Sequence, residues 1–150
     1  MSTSELAQLI LDWSTLFARL SMHDINRCAR SNGLSFAQMN VLMHLYYQGP
    51  REVMEFAEYM QISPAGASQM VERLVQQGLA VRVESPGDRR VRQVHLTERG
   101  SAVVEESIAI RQRWVDSLAA SLSGDQQAIV VDAMRLLTAG AAAQEVAAAP

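Results

Sequence analysis

The chain has 150 residues, and its 13 arginines and 16 acidic residues give a formal net charge of −3, with no lysine present. This length fits one domain, and the acidic balance excludes a protein that coats nucleic acid through a polycationic surface, although a local arginine patch is compatible with it. The single cysteine, Cys28, excludes an intramolecular disulfide framework and any cysteine-cluster metal site. Because there is no basic leader and no apolar run of the ~18 residues that a membrane span needs, we expect a soluble, cytoplasmic protein.

The first sixty residues have the pattern of three helices. Apolar residues recur at helical spacing over 5–31, and Gly33 is suited to ending that helix. Ser35 and Gln38 have the spacing of a capping box, which predicts a second helix that continues to the next Gly-Pro pair. A short amphipathic helix over about 52–60 follows it.

The middle of the chain changes from helical to strand periodicity. Ser63 is a natural N-cap, and the proline after it suits the first position of a helix over 64–77. Apolar and polar residues then alternate over 79–84 and again over 91–96, with a polar turn between them. This alternation predicts a two-stranded hairpin.

The last third of the chain is helical in pattern. Thr97 is placed to cap a long helix over 98–121. A second capping box, Ser123 with Gln126, opens a last helix. The alanine-rich residues 139–150 have little to bury, so we expect the helix to end before them in a flexible tail.

The order of these elements predicts the fold class. A helix, a short helix, a turn, a helix and a hairpin make a winged helix-turn-helix, which we place at 34–97 and which typically binds DNA. Long helices over 4–32 and 98–138 flank it within a single chain. The predicted fold is therefore mainly α with a small β wing.

The predicted helix over 64–77 presents a small, polar face that suits the major groove. Gln69 can pair with adenine edges, Arg73 can hold a phosphate or a guanine, and the helix N-terminus favours phosphate. Gly66 is explained either by close approach to another surface or as a tolerated small residue. The outward face consists of Ala65, Gly66, Gln69, Glu72, Arg73 and Gln76, with Ser68 at its edge.

The turn of the hairpin concentrates positive charge. Arg89 and Arg90 lie at its tip, where guanidinium groups suit a narrow minor groove, and Asp88 suits a bidentate contact that orients Arg90. A merely solvated turn is the alternative, which the adjacent helix-turn-helix disfavours. Residues 62–99 carry six arginines and four acidic residues, whereas the rest of the chain is net negative. The charge pattern therefore places the DNA contact in this segment.

Two stretches of the chain resemble the MarR family of transcription regulators. Residues 88–100, DRRVRQVHLTERG, resemble the family's wing signature, D-x-R followed by L-T-x-x-G. Residues 63–79 resemble its recognition helix and the exit from it, and with the flanking helices the resemblance covers about 4–138. It implies a homodimer that binds double-stranded DNA at a pseudo-palindromic operator, with half-sites roughly 34–36 Å apart.

The resemblance also implies roles for individual residues. Arg90 would enter the minor groove with Asp88 holding it, and Ser35 falls near a phosphate contact. The positions at which family members contact the major groove and its phosphates are occupied by Ser63, Ala65, Ser68, Gln69 and Arg73.

The sequence itself also favours a dimer, and the family resemblance implies an effector site. The helix over 98–121 is too long to be covered by a small winged domain, so a second subunit is its expected cover. Family members commonly act as repressors that release DNA when a small aromatic acid or phenol binds. The pocket for such an anion could be lined here by Trp13, Phe17, Met43, His44 and Arg111, although Trp13 and Phe17 suit ordinary interface core better.

Other functions fit the sequence less well. Cys28 is either an oxidation sensor or, as is commoner for a buried cysteine, a small apolar filler. The three histidines do not have the spacing of a metal-ligand set, and we expect no cofactor. No nucleophile–base spacing or phosphate-binding loop indicates an enzyme. A winged helix that contacts proteins instead of DNA is disfavoured by the arginines of the wing.

Overall fold

The structure, a computed structural model, describes the backbone of residues 2–85 and 88–148 and the side chains of 2–84 and 92–144. The described residues form six helices and three strands. In chain order they are α1 (Thr3–Ser31), α2 (Phe36–Gln48), β1 (Arg51–Glu52), α3 (Val53–Met60), α4 (Pro64–Gln76), β2 (Ala80–Ser85), β3 (Asp88–Leu96), α5 (Glu98–Ala120) and α6 (Gly124–Ala148). The predicted class, mainly α with a small β wing, is confirmed.

Side-chain caps explain where the helices begin. The Ser35 hydroxyl accepts from the Gln38 N–H at 3.2 Å, and the Gln38 side chain accepts from the Ser35 N–H at 2.9 Å. Ser123 and Gln126 exchange the same two bonds at the start of α6, at 3.4 and 2.9 Å. Each pair satisfies two backbone N–H groups that a helix leaves open, so both predicted capping boxes are confirmed.

Two elements differ from the sequence-based prediction. β1 was not predicted, because its two residues are too few to show an alternating pattern; it exists through its pairing with β3. The predicted end of the last helix near Thr138 is wrong, since α6 continues to Ala148 and takes in residues 139–148 of the predicted tail. Alanine has the highest helix propensity of all residues, which favours this extension even where little is buried.

The three strands form an antiparallel sheet in the order β1-β3-β2. Val94 of the central strand is fully buried and lies opposite Arg51 on one side and Arg82 on the other. The register shifts between Glu84 and Ser85, near the closed end of the hairpin. The predicted hairpin is confirmed, with β3 beginning three residues earlier than expected.

The apolar faces of α2, α3 and α4 meet in one core. Met39, Leu42 and Phe56 are fully buried in it. α4 contributes Val71 and Leu74, which are equally buried. Since this face of α4 is fixed against the core, the opposite face points outward.

The chain divides into two compact units, Met1–Arg111 and Gln112–Pro150, with the boundary inside α5. In the first unit, α1 leaves Leu9 and Leu11 more than half exposed. In the second unit, α6 leaves Ile129 and Leu136 exposed to 69% and 76%. Each unit therefore presents apolar side chains that its own residues do not cover.

Candidate nucleic-acid interface

The first turn of α4 is capped yet open to solvent. The Ser63 hydroxyl oxygen accepts from the Gly66 N–H at 3.1 Å, and Pro64 occupies the first helical position. Because the cap uses the oxygen as an acceptor, the hydroxyl hydrogen remains able to donate outward. Ser63 and Ala65 are exposed, so this helix end can approach a phosphate closely.

Gly66 has a local reason that sequence analysis did not supply. A Cβ at this position would lie 3.2 Å from the Ser63 hydroxyl oxygen, which is tighter than an ordinary contact. Glycine therefore leaves room for the N-cap. Neither explanation offered by the sequence, close approach to another surface or simple tolerance, is tested by this observation.

Two side chains of the outward face of α4 have no polar partner among the described residues. The Gln69 and Arg73 side chains are exposed, and neither makes a hydrogen bond or ion pair with any residue that the structure describes. They lie four residues apart, so they point to the same side of the helix. Ser68 is half-buried at the edge of this face. The Gln69 and Arg73 side chains can therefore contact an external ligand without first breaking internal bonds.

The structure describes some of the predicted DNA-contact residues outside α4. Ser35 is exposed at the start of α2, with its hydroxyl oxygen serving as the N-cap. The backbone of Asp88, Arg89 and Arg90 belongs to β3, with Ser85 opposite Asp88. The side chains of these three lie outside the described residues. Their role in a minor groove stays a prediction.

Two arginines of the positive segment have protein partners that sequence analysis missed. The Arg82 Nη2 lies 3.7 Å from the Glu72 Oε2 and donates to the Ser68 carbonyl oxygen at 3.5 Å. The Arg99 Nη1 donates to the Gln77 carbonyl oxygen at 3.0 Å. These partners are distant in sequence or lie on the backbone, so no local pattern signals them.

The start of α5 holds the exit of α4 through three successive carbonyl groups. Besides the Arg99 bond to Gln77, the Thr97 hydroxyl donates to the Gly78 carbonyl at 2.8 Å. The Thr97 N–H donates to the Leu79 carbonyl at 3.1 Å. The L-T-x-x-G pattern was the available signal, but it does not name these partners. The position of the recognition helix is thereby coupled to α5.

The aromatic residues predicted to bind an effector lie on two helices. On α1, the rings of Trp13 and Phe17 are 6.2 Å apart. On α2, His44 packs against Tyr59 and Phe56 of α3, at 4.5 and 5.7 Å between ring centroids. The full predicted set is Trp13, Phe17, Met43, His44 and Arg111.

Two surface pockets among the described residues are not lined by any residue of that set. One, of about 220 Å³, lies beside Gln77, Leu79 and Arg99. The other, of about 460 Å³, lies on α6 beside Met134 and Thr138. The aromatic effector site therefore stays a prediction.

Cys28 lies inside the core. It is 1% exposed, and its thiol donates to the Val103 carbonyl oxygen at 3.7 Å. Burial raises the pKa of the Cys28 thiol above its ordinary value, and the nearby Glu106 carboxylate adds to the effect. Because the thiolate is the nucleophile that reacts with oxidants, this environment is typical of an unreactive cysteine.

The described part of the chain lacks two other kinds of site. No group of three or more histidine, cysteine, aspartate or glutamate side chains there is placed to hold a metal ion. No helix of that part is both long and apolar enough to cross a membrane.

Comparison with known proteins identifies relatives of the chain. The sequence model of the MarR family matches residues 32–91. The HTH-type transcriptional repressor MdtR of Bacillus subtilis is 38% identical over 53% of this chain, a match that spans about half of MdtR, 52% of its length. YpoP of Bacillus subtilis, an uncharacterized HTH-type transcriptional regulator, is 30% identical over 65% of this chain and 71% of its own length.

The fold has a close structural counterpart. The crystal structure of transcriptional regulator Tm0710 from Thermotoga maritima superimposes with a TM-score of 0.85, covering 95% of this chain and 99% of that one. The two sequences are 20% identical, so this likeness concerns the fold alone. The sequence matches and the winged helix-turn-helix together show that the chain belongs to the MarR family and is a DNA-binding transcriptional regulator.

Proposed function

We propose that this chain is a homodimeric repressor that binds a pseudo-palindromic operator and leaves it when a small aromatic molecule binds. Each subunit places α4 in the major groove and the tip of its hairpin in the adjacent minor groove. The observation that carries this proposal is the free, exposed pair Gln69 and Arg73 on a helix whose opposite face is fixed in the core.

The proposed contacts divide between base edges and the DNA backbone. Gln69 pairs with an adenine edge, and Arg73 holds a guanine or a phosphate. The small residues of the first turn, Ala65 and Gly66, let the helix approach the groove floor. The remaining proposed contacts are Ser35, Ser63 and Ser68 to phosphate or bases, and Arg89 and Arg90 to the minor groove with Asp88 orienting Arg90.

The dimer is supported by apolar side chains that the chain leaves in water. α1 exposes Leu9 and Leu11, and α6 exposes Ile129 and Leu136. Burial of each such side chain contributes about 1.5–3 kcal/mol, so a partner that covers several of them gains a stable interface. A second copy presents the same helices, which makes a two-fold interface self-complementary.

Repression and release by an aromatic ligand are supported less directly. MdtR, with which the chain shares 38% identity over half its length, is named a transcriptional repressor. The neighbouring rings of Trp13 and Phe17 offer an apolar surface on α1, and Arg111 offers a cation for a carboxylate or phenolate. The oxidation-responsive alternative is not favoured, because the Cys28 thiol is buried and the raised pKa keeps it protonated.

Selection from a random 30-base-pair duplex library tests the DNA-binding proposal. We expect the chain to enrich an inverted repeat, and Gln69→Ala to lose preference at one base position in each half-site. Arg90→Ala should lower the slope of log affinity against log salt by about one for each subunit. Arg73→Ala should lower the slope in the same way if Arg73 holds a phosphate, or lose preference at one base position if it holds a guanine. Arg27→Ala is the control, because it removes an exposed arginine of α1 that pairs with Asp24.

The outcomes separate the functions. Absence of any enriched sequence would overturn sequence-specific binding and favour a protein-contact module. An unchanged slope would overturn the role of Arg90, and an unchanged slope together with unchanged base preference would overturn the role of Arg73. Sedimentation equilibrium at micromolar concentration should give the dimer mass, and a stable monomer would contradict the dimer. Phenol and benzoate added to the selected complex should raise its dissociation constant, and no change with any phenolic compound would remove the effector from the proposal.

A further inference from the structure

Arg82 lies between the hairpin and the recognition helix. Its Nη2 donates to the Ser68 carbonyl oxygen at 3.5 Å and lies 3.7 Å from the Glu72 Oε2. Its side chain is 27% exposed, and its Nε is buried without a hydrogen-bond partner among the described residues. The guanidinium group is therefore held between β2 and α4 instead of extending into solvent.

The strand that carries Arg82 is itself firmly placed. Arg82 lies opposite Val94 of the central strand, and Val94 is fully buried. A shift of β2 would therefore disturb the core. Within the described part of the chain, the hydrogen bond and ion pair of Arg82 are the polar side-chain contacts that join α4 directly to the hairpin strands.

The two groups that Arg82 contacts lie on one side of α4. Ser68 and Glu72 are one turn apart, and Gln69 and Arg73 follow them directly, about 100° further round the helix. A side-chain end lies about 5–6 Å from the helix axis, so a rotation of roughly 20° moves it by about 2 Å. That displacement exceeds what the geometry of a hydrogen bond to a base edge tolerates.

The charge of Glu72 also favours its contact with Arg82. Glu72 is half exposed beside the outward face of α4, where an unpaired carboxylate would repel DNA phosphates. The Arg82 guanidinium offsets that charge, and its own charge is thereby less available to a phosphate. Gln76 also donates to Glu72, at 3.5 Å, which helps to hold the carboxylate towards Arg82.

We propose that Arg82 is a positioning residue for DNA recognition, which sets the rotation of α4 relative to the hairpin and so directs Gln69 and Arg73 towards the bases. The proposal rests on the proposed role of α4 in the major groove and gives Arg82 no contact with DNA. Its signature is a loss of sequence discrimination without a loss of phosphate contacts.

The test compares a DNA duplex selected by the wild-type protein with a scrambled duplex of the same composition. The double variant Arg82→Gln/Glu72→Gln removes the pair and leaves the net charge unchanged. We expect the ratio of affinities for the two duplexes to fall roughly tenfold or more, as for the loss of one good base contact. The salt slope and the affinity for scrambled DNA should stay at their wild-type values, because the slope counts neutralised phosphates. Arg27→Ala should change neither the ratio nor the slope.

Each result shows whether Arg82 positions α4 or contacts DNA. An equal loss of affinity for both duplexes with a slope lower by about one for each subunit would show that Arg82 binds phosphate, and an unchanged ratio would show that it positions nothing. If the double variant does not fold, Arg82→Lys keeps the charge but not the forked geometry, so a positioning role should still lower the ratio of affinities, and an unchanged ratio would overturn it. Failure of the wild-type protein to select any sequence overturns the proposed function instead, so the two failures are distinguishable.

Discussion

Replacement of Gly100 by alanine should destabilise the protein, because this glycine lets α5 lie directly against the exit of the recognition helix. Gly100 is buried, and a Cβ at this position would overlap the Leu79 carbonyl oxygen. The same Cβ would lie 2.8 Å from the Leu96 Cδ1 and 3.1 Å from the Leu79 carbonyl carbon. Backbone crowds it on one side, so a rotamer change cannot relieve the overlap.

The size of the effect follows from what must move. A carbon–oxygen contact needs about 3.3 Å or more, so the start of α5 and the segment around Leu79 must separate by about 1 Å. That separation stretches the Thr97 N–H bond to the Leu79 carbonyl, now 3.1 Å, beyond hydrogen-bonding range. Overpacking costs about 1–3 kcal/mol and the lost bond about 1 kcal/mol, while the higher helix propensity of alanine returns at most ~1 kcal/mol. With the full propensity gain subtracted, we expect a loss of about 1–3 kcal/mol from the free energy of unfolding.

Urea unfolding followed by far-ultraviolet circular dichroism measures this loss, with all variants at one chain concentration. Gly124→Ala is the matched control, because Gly124 also lies in the first turn of a helix and is exposed, and a Cβ added there would have no neighbouring atom within 4 Å. It should leave stability unchanged or raise it by up to about 1 kcal/mol. If Gly100→Ala were as stable as Gly124→Ala, the close approach of α5 to Leu79 would be refuted.

Two further predictions concern Thr97 and Cys28. Thr97→Val removes the hydroxyl that donates to the Gly78 carbonyl at 2.8 Å and accepts from the Gly100 N–H at 3.0 Å. It should lower the free energy of unfolding by roughly 1–3 kcal/mol in the same urea assay, and a loss below about 0.5 kcal/mol would contradict these bonds. Burial raises the pKa of the Cys28 thiol above 9.0, so the folded chain keeps a proton that the unfolded chain releases. This contribution to stability is complete below about pH 9 and is lost as the pH rises through the folded-state pKa. The free energy of unfolding should therefore fall more steeply with alkaline pH in the wild-type protein than in Cys28→Ala, and equal slopes would show that the thiol has no raised pKa.

Features with a local cause were predictable from sequence. The capping box of Ser35 and Gln38 predicts the start of α2 because both partners lie within one helical turn. The N-cap Ser63 with Pro64 does the same for α4. The outward position of Gln69 follows from helical periodicity, because the apolar stripe on the other side must face the core. The outward face of the recognition helix was accessible to prediction for the same reason.

Features that depend on distant contacts were not predictable. Arg82 has the pattern of an ordinary polar strand residue, and its partners Ser68 and Glu72 lie ten or more residues away. β1 exists because β3 offers it free backbone groups, which two residues cannot signal alone. Gly100 is the glycine of the L-T-x-x-G pattern in the family resemblance. That pattern does not indicate that the Leu79 backbone is the neighbour that requires glycine. Long-range geometry, not residue type, decides each of these cases.

The contacts of individual arginines determine how many of their charges are available to DNA phosphates. Residues 62–99 contain six arginines, but Arg82 and Arg99 direct their guanidinium groups at protein oxygens. Counterion release counts only the charges that neutralise phosphates, at roughly 0.9 of a slope unit for each phosphate. This segment therefore contributes at most four such charges in each subunit, a slope of about 3.6 instead of more than 5. A chain with net charge −3 then relies on a few oriented contacts for DNA affinity. Arg82 and Arg99 maintain the positions of α4 and the hairpin, and these positions become as important as the charge of the remaining four arginines.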